Sequence, residues 1–329
     1  MNNVKMKRNM NAIARYLTIL LCLVATACQE HTAIDFDRVE ALMDPHPDSA
    51  LALLDTLHAE PQHYTAKDRA RYYLLLTEAK DKCFLTHTTD TLIRFSAEYY
   101  EQHNDRHHYA KALYLQGRIY EDWRENEQSA ACWVKALDYG KDSEDHYLLY
   151  RIAYRLATLY AYQDIADRAM DLYKETLGYA VKTQDSGLIA LGHAYIGRVY
   201  GMKEDWANAS IWYEKGLTIS RKTQKKESLN KILQEYIGIC NNYHLYEKVD
   251  SIITVLNADP NFEKNAPYYL CVGNYYRHKK DTARAVPFLQ QALTMEGNLY
   301  TKKVACKSLS YLYDSFGQPQ LALHYADIY

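Results

Sequence analysis

The sequence predicts an all-α protein built as an α-solenoid, with antiparallel helix pairs stacked one on the next, and three observations lead there. Small and aromatic residues recur in one frame: Gly117, Ala157 and Gly197 are 40 residues apart, each followed three positions on by Tyr120, Tyr160 or Tyr200 and sixteen on by Trp133, Tyr173 or Tyr213. Hydrophobic residues make up 48% of the 329, with 12 Gly and 7 Pro, the balance of a packed helical chain and not of a disordered one. Finally, no single unit has enough apolar surface on both sides to fold alone, so units of this kind must stack.

The frame extends beyond the three clearest copies. They read Gln116, Gly117, Tyr120, Ser129, Trp133 and Ala136; Leu156, Ala157, Tyr160, Ala169, Tyr173 and Thr176; and Ile196, Gly197, Tyr200, Ala209 and Tyr213. Later units fall at Gly238, Gly273 and Ser310, in steps of 41, 35 and 37. Of these, Val272, Gly273, Tyr276, Ala285, Leu289 and Ala292 keep the pattern, whereas the Gly238 unit has Asn241 for Tyr and Val249 for Ala. Small residues at the eighth and twentieth positions let two helix backbones approach, and the aromatics fill the space between successive pairs. These spacings resemble the tetratricopeptide repeat. The resemblance covers residues 105–329 and, more loosely, 28–104, and it implies a right-handed superhelix. The family's proline at the end of each repeat is missing. Lys141, Val181 and Arg221 stand in its place, so the second helices are expected to run on, which suits a period of 40. Pro287 falls inside a predicted helix and a bend is expected there.

Residues 1–27 have a different character. Lys5, Lys7, Arg8 and Arg15 precede the apolar run LTILLCLVATA, with no acidic residue among them. Eleven residues are too few for a membrane-spanning helix, which takes about 20, and the segment reads as a signal peptide. Ala25-Thr26-Ala27-Cys28 resembles the bacterial lipobox, with Ala25 in place of the commoner Leu, and that resemblance implies lipidation of Cys28. Ordinary secretion with cleavage nearby is the alternative. Loss of four cations from 39 would leave 35 against 41 acids, a formal charge of −6, which argues against nucleic acid as the main partner. Five scattered cysteines would remain, an odd set that makes no disulfide framework.

Between anchor and array, FDRVEALMDPHPDSALALLDTL predicts a short helix, a break at Pro45 and Pro47, and a second helix. KDRARYYLLLTEAKDKCF and TDTLIRFSAEYYEQH predict another pair. This N-terminal part, with its PDSALALLDTL phrase, resembles that of Gram-negative envelope lipoproteins carrying tetratricopeptide repeats. Longer members of that group continue into a membrane helix and a coiled coil. The array here is expected to end inside the second helix of its last unit, Gly317 marking the turn, so that either a longer protein continues, or a partner or a second copy covers that end.

No phosphate loop, dinucleotide fingerprint, hydrolase elbow or zinc-protease motif is present. Glu125 and Glu127 read as a solvated helix face. His103 and His107 are four apart, but Asn104 and Asp105 between them end a helix. The sequence thus predicts a non-enzymatic scaffold without cofactor or metal, lipid-anchored at the outer membrane of a cell envelope, facing the periplasm or the surface, and binding a protein or peptide. Membership of an outer-membrane assembly complex, glycan binding, and the sensor part of a truncated membrane regulator are the other readings. The tetratricopeptide resemblance implies a concave surface from the first helix of each pair, at the second, fifth, ninth and twelfth positions of the frame. That places Lys111, Tyr114, Arg118, Arg151, Tyr154, Arg198, Arg277, Lys307 and Tyr311 in a ligand groove, with Glu121, Glu235 and Asp314 among them. The carboxylate clamp of chaperone-binding members is not reproduced, because Tyr114 and Tyr154 occupy the fifth position.

Changing Cys28 to Ser is expected to release the protein from membranes or to leave it uncleaved. Incorporation of labelled palmitate is the measurement, and equal labelling of the wild type and the variant would refute lipidation at Cys28.

Overall fold

The computed structural model of the protein describes residues 35–57, 64–260, 262, 264–295 and 299–328; residues 1–27, expected to be a signal peptide, and Cys28 lie outside them. The described residues form sixteen helices and no strand. The chain divides into two compact units, Met1–Tyr99 and Tyr100–Tyr329.

In the first unit the helices are α1 (Phe36–Met43), α2 (Pro47–Leu57), α3 (Ala66–Lys82) and most of α4 (Thr91–Gln102). Asp35 caps α1 by accepting from the Arg38 N–H at 3.0 Å, and Pro47 opens α2 at a position where a missing N–H costs nothing. Phe36, Val39, Met43, Leu54, Tyr72 and Leu75 form its core. The boundary falls inside α4 because the last turn of that helix packs on the helix after it. The Tyr100 ring stacks on His108 at 4.9 Å and Glu101 accepts from the Tyr109 hydroxyl at 2.6 Å.

In the second unit α5 (Arg106–Asp122), α6 (Asn126–Gly140), α7 (His146–Tyr162), α8 (Ala166–Thr183), α9 (Ser186–Met202), α10 (Trp206–Lys222), α11 (Lys226–Asn242) and α12 (Tyr246–Ala258) each begin 20 residues after the one before. The 40-residue period is therefore two equal halves. Four of these helices have 17 residues in the first-helix role, and a three-residue turn completes the half-period. Except between α6 and α7, each turn stops the helix with a left-handed residue, at Asn104, Arg124, Asp164, Gln184, Glu204, Gln224 and His244. The next N–H then reaches back five residues, as from Asp205 to the Tyr200 carbonyl at 2.9 Å. Aspartates restart the chain: Asp105, Asp145, Asp185 and Asp205 each accept from the N–H three residues on, at 2.9 to 3.1 Å.

The array continues as α13 (Ala266–His278), α14 (Thr282–Thr294), α15 (Leu299–Ser315) and α16 (Pro319–Asp327). Helix α14 runs through Pro287, and Gly317 (φ 66°) makes the turn into α16. Val181 and Arg221 are helical, as the missing proline implies, while α6 stops one residue short of Lys141.

The two helices of a pair meet where the frame places a small residue against a large one. A methyl group on Gly117 would lie 2.3 Å from Trp133 Nε1, one on Gly273 2.7 Å from Leu289, and one on Gly197 3.1 Å from Tyr213. Trp133 and Tyr213 are fully buried, and Trp133 Nε1 donates to the Tyr114 carbonyl at 3.1 Å. Gly178, on the exposed side of α8, faces open space.

Two glycine-to-alanine changes should have opposite outcomes. Gly117→Ala is expected to destabilise by about 1 to 3 kcal/mol through overpacking against Trp133, whereas Gly178→Ala is expected to stabilise by about 0.5 to 1 kcal/mol through helix propensity alone. Equilibrium denaturation of both variants checks the contrast; equal effects would contradict the packing assignment.

Candidate functional site

The first helices α5, α7, α9, α11, α13 and α15 carry the residues singled out from the sequence, and the structure sorts them into three groups.

Tyr114 is not a surface residue. Its side chain is 2% exposed, because the tight pairing of α5 with α6 draws its backbone onto the Trp133 indole, and the Arg151 guanidinium covers its ring at 4.6 Å. Lys111 is half-buried and acts electrostatically on Asp145. These positions line a wall that is closed.

Arg118 and Arg198 lie on the expected face, but carboxylates already hold them. Arg118 is ion-paired with Glu121, which also accepts from Arg155 at 3.2 Å. Arg198 makes a two-pronged contact with Glu235, Nε to Oε1 at 2.8 Å and Nη2 to Oε2 at 2.6 Å, and donates from Nη1 to the Tyr173 hydroxyl at 2.7 Å. Tyr213 also donates to Glu235 Oε1, at 2.8 Å. Both side chains of the Arg198–Glu235 pair are only about a fifth exposed, 21% and 20%. Burial works against the Arg198 charge, but Glu235 and the tyrosines outweigh it and hold its pKa above the ordinary value. Burial pushes the Tyr173 hydroxyl up to about 12 and raises Tyr195 and Tyr213 as well, so these tyrosines are neutral donors. The expected positive face is thus much less positive than a count of its cations suggests.

The third group remains accessible in part. Tyr154 is half-buried and stacks on Tyr195 with ring centres 4.6 Å apart. Arg277 is half-buried, donating to Asn274 Oδ1 at 3.2 Å and to His278 Nε2 at 3.1 Å. Lys307 and Tyr311 are exposed and lie against each other, the amine 5.8 Å from the ring centre. Tyr195, Asn274 and Ser308 were missed from the sequence, Tyr173 was read there only as a packing residue, and Glu235 was placed on this face but not as the partner of Arg198. A usable signal existed for Glu235: it stands at the fifth frame position, one repeat on from Arg198 at the ninth.

Elsewhere, a cleft of about 720 Å³ opens between α10 and α12, lined by Trp206, Ser210, His244, Tyr246, Lys248 and Ser251. Its lysine is occupied by Glu214 at 2.6 Å. Among the described residues no three His, Cys, Asp or Glu are grouped to hold a metal. His103 and His107 fall on either side of the Asn104 turn, and His107 Nε2 is 3.1 Å from Asp145 Oδ2. Cys83, Cys132, Cys240, Cys271 and Cys306 are free thiols. No described helix is long and apolar enough to cross a membrane.

The helix-pair metric, the small-on-large pairing and the stacked first helices define a tetratricopeptide-like helical-repeat fold. No protein-family model matches the chain, and no curated protein sequence does either. Solved structures of the same architecture do. The apo form of the quorum sensor NprR from B. thuringiensis is 14% identical with a TM-score of 0.62, over 95% of this chain and 92% of that one. The apo form of RapI is 12% identical with a TM-score of 0.56, over 78% and 94%. A Rap protein complexed with Competence and Sporulation Factor is 11% identical with a TM-score of 0.54, over 95% and 90%. At these identities the likeness shows the fold.

Removing one member of the Arg198–Glu235 pair is expected to be costly, because the other charge stays among buried tyrosine rings. Arg198→Met should destabilise by about 3 kcal/mol, and Arg198→Met combined with Glu235→Leu should recover most of that loss. A thermodynamic cycle by denaturant unfolding measures it; additive losses would contradict a coupled structural pair.

Proposed function

We propose that this protein is a non-enzymatic scaffold that holds an extended peptide or protein segment along the first-helix face. The observation that carries the reading is the Tyr154–Tyr195 shelf beside Arg198. Two stacked rings, one of them half-open, give a flat apolar platform backed by a satisfied ion pair and fixed in place by buried packing. Such a platform takes an apolar or aromatic side chain at small entropic cost, since its own groups are already ordered. The face is built from helices of a rigid array, which suits recognition more than group transfer. Of the architecturally similar proteins, one is a quorum sensor and another was solved with Competence and Sporulation Factor bound; the reading for this chain extends that use of the fold to its own residues.

The scaffold is held, in this proposal, at the outer membrane of a Gram-negative envelope through lipid on Cys28, in the periplasm or at the cell surface. The basic leader, the short apolar run and the small residues before Cys28 support that placement.

Tyr154→Ala is expected to lower recovery of the partner from detergent-solubilised envelopes at least tenfold, about 1.4 kcal/mol, with little change in thermal unfolding because the ring is half-open. Partner recovery by the variant at wild-type affinity would count against the shelf.

A further inference from the structure

We propose that the turn between α3 and α4 inserts Phe84 and Leu85 into the interfacial layer of the lipid bilayer that holds Cys28. The proposal rests on the anchoring part of the function given above and adds to it a second contact with the membrane.

This turn is the exception among its equivalents. Eight of the left-handed residues that stop helices are Asn104, Arg124, Asp164, Gln184, Glu204, Gln224, His244 and Lys280, each of them polar and exposed. The remaining non-glycine residue of this kind among the described residues is Phe84 (φ 57°), a bulky side chain at a backbone that asparagine adopts far more readily. Phe84 is 94% exposed and Leu85 47%, and they are the only large hydrophobic residues exposed among the described residues of the first unit.

The turn also meets the demands of an apolar surrounding. The N–H groups of Cys83, Phe84 and Leu85 donate to the carbonyls of Ala79, Asp81 and Lys80 at 2.9, 3.1 and 3.0 Å, so none of them depends on water. Residues 83–89, CFLTHTT, contain no carboxylate, lysine or arginine, and His87 is buried. Cys83 donates from Sγ to Asp48 Oδ1 at 3.2 Å; burial, with that bond, pushes its thiol up to about 11, so it is uncharged as well. Lys82 is paired with Asp44 at 2.6 Å. These two contacts seat the turn on the connection between α1 and α2, and the apolar tip projects from a packed support.

The anchor lies close enough for the tip to reach the bilayer. Arg71 pairs with Asp37 and Glu40 while Lys82 pairs with Asp44, so α3 runs alongside α1 in the same direction and the turn lies at the far end of α1. That helix has eight residues, a length of about 12 Å. Seven residue steps separate Cys28 from Asp35, and their greatest span is about 25 Å. The size of the tip favours lipid over a protein partner. Two side chains are far less than the roughly 800 Å² that each side of a stable protein interface buries, whereas a tethered protein needs only weak insertion, because the tether keeps the bilayer at high effective concentration.

The test places a fluorescent ring at the tip. The lipidated full chain is reconstituted in vesicles of phosphatidylethanolamine and phosphatidylglycerol, with and without bromine on the acyl chains, as wild type, Phe84→Trp and Tyr162→Trp. All four native tryptophans lie in the second unit, and Tyr162 is a ring of similar exposure there, at 84%. The expected result is that the emission added by Phe84→Trp shifts to shorter wavelength and is mostly lost with brominated lipid, while that added by Tyr162→Trp is unchanged. Leu85→Trp should respond in the same way as Phe84→Trp and serves where that variant fails to fold. Retention in the vesicles with water-exposed, unquenched emission from both tip variants would overturn the insertion and leave the anchor standing, as would equal quenching at positions 84 and 162. Failure of the full chain to be retained in the vesicles would overturn the anchor and the insertion with it. Photoreactive benzoylphenylalanine in place of Phe84, irradiated in intact envelopes, should cross-link to phospholipid; cross-linking to protein alone would overturn the choice of lipid.

Discussion

Everything in the repeat array depends on one steric constraint, a residue without a large side chain opposite a large apolar side chain sixteen positions later. Gly117 against Trp133, Gly197 against Tyr213 and Gly273 against Leu289 bring the two backbones of a pair close enough that the large side chain has no other place to go, and Ala157 and Tyr173, at the same frame positions, share one buried cluster. A close pair of helices has little freedom to shift along its axis, so left-handed stops spaced by 20 residues or a multiple of it become compatible with stacking. The turns and the packing then enforce the same metric.

The use of tyrosine rather than phenylalanine in that packing has a further consequence. With 32 Tyr and 6 Phe, the array buries rings that end in hydroxyl groups, and each hydroxyl taken from water needs a partner. Some find one in polar side chains on a neighbouring helix: Tyr213 in Glu235, Tyr173 in Thr158, Tyr236 in Ser210, Tyr268 in Asn257 and Tyr275 in Asp250. The first-helix face is consequently the far side of a hydrogen-bonded core. Glu235 is shared between Arg198 and Tyr213, so its charge belongs as much to the packing of α9 on α11 as to any surface.

Helix α12 shows what happens where a helix is too short for the 20-residue spacing. It begins in register but stops at Ala258 after 13 residues, and α13 starts 20 residues after it through a longer connection. The second helix of the preceding pair, α10, has 17 residues and so is four residues longer than α12. A space of about 430 Å³ beside Ser220, Arg221 and Leu229 is the result. The repeats beyond it keep the pairing rule and lose the ion-pair ladder, since packing requires a small residue at Gly273 but imposes nothing on the charges at Asn274 and Arg277.

The helix pairs, their register and their order follow from local spacing in the sequence: a small residue, a tyrosine three on and a ring sixteen on. The sequence also showed that His103 and His107 belong to different helices, since the Asn-Asp between them reads as a stop and a cap. The tertiary structure decided which polar groups are available. Arg198 and Arg277 look alike in a frame count, yet one is held by a carboxylate 37 residues away and the other meets only neutral acceptors. Tyr114 and Tyr154 share a frame position, yet one is sealed by the neighbouring repeat and the other is half-open. Accessibility and charge pairing are set by residues on the next helix pair, and spacing within a single repeat carries no information about them.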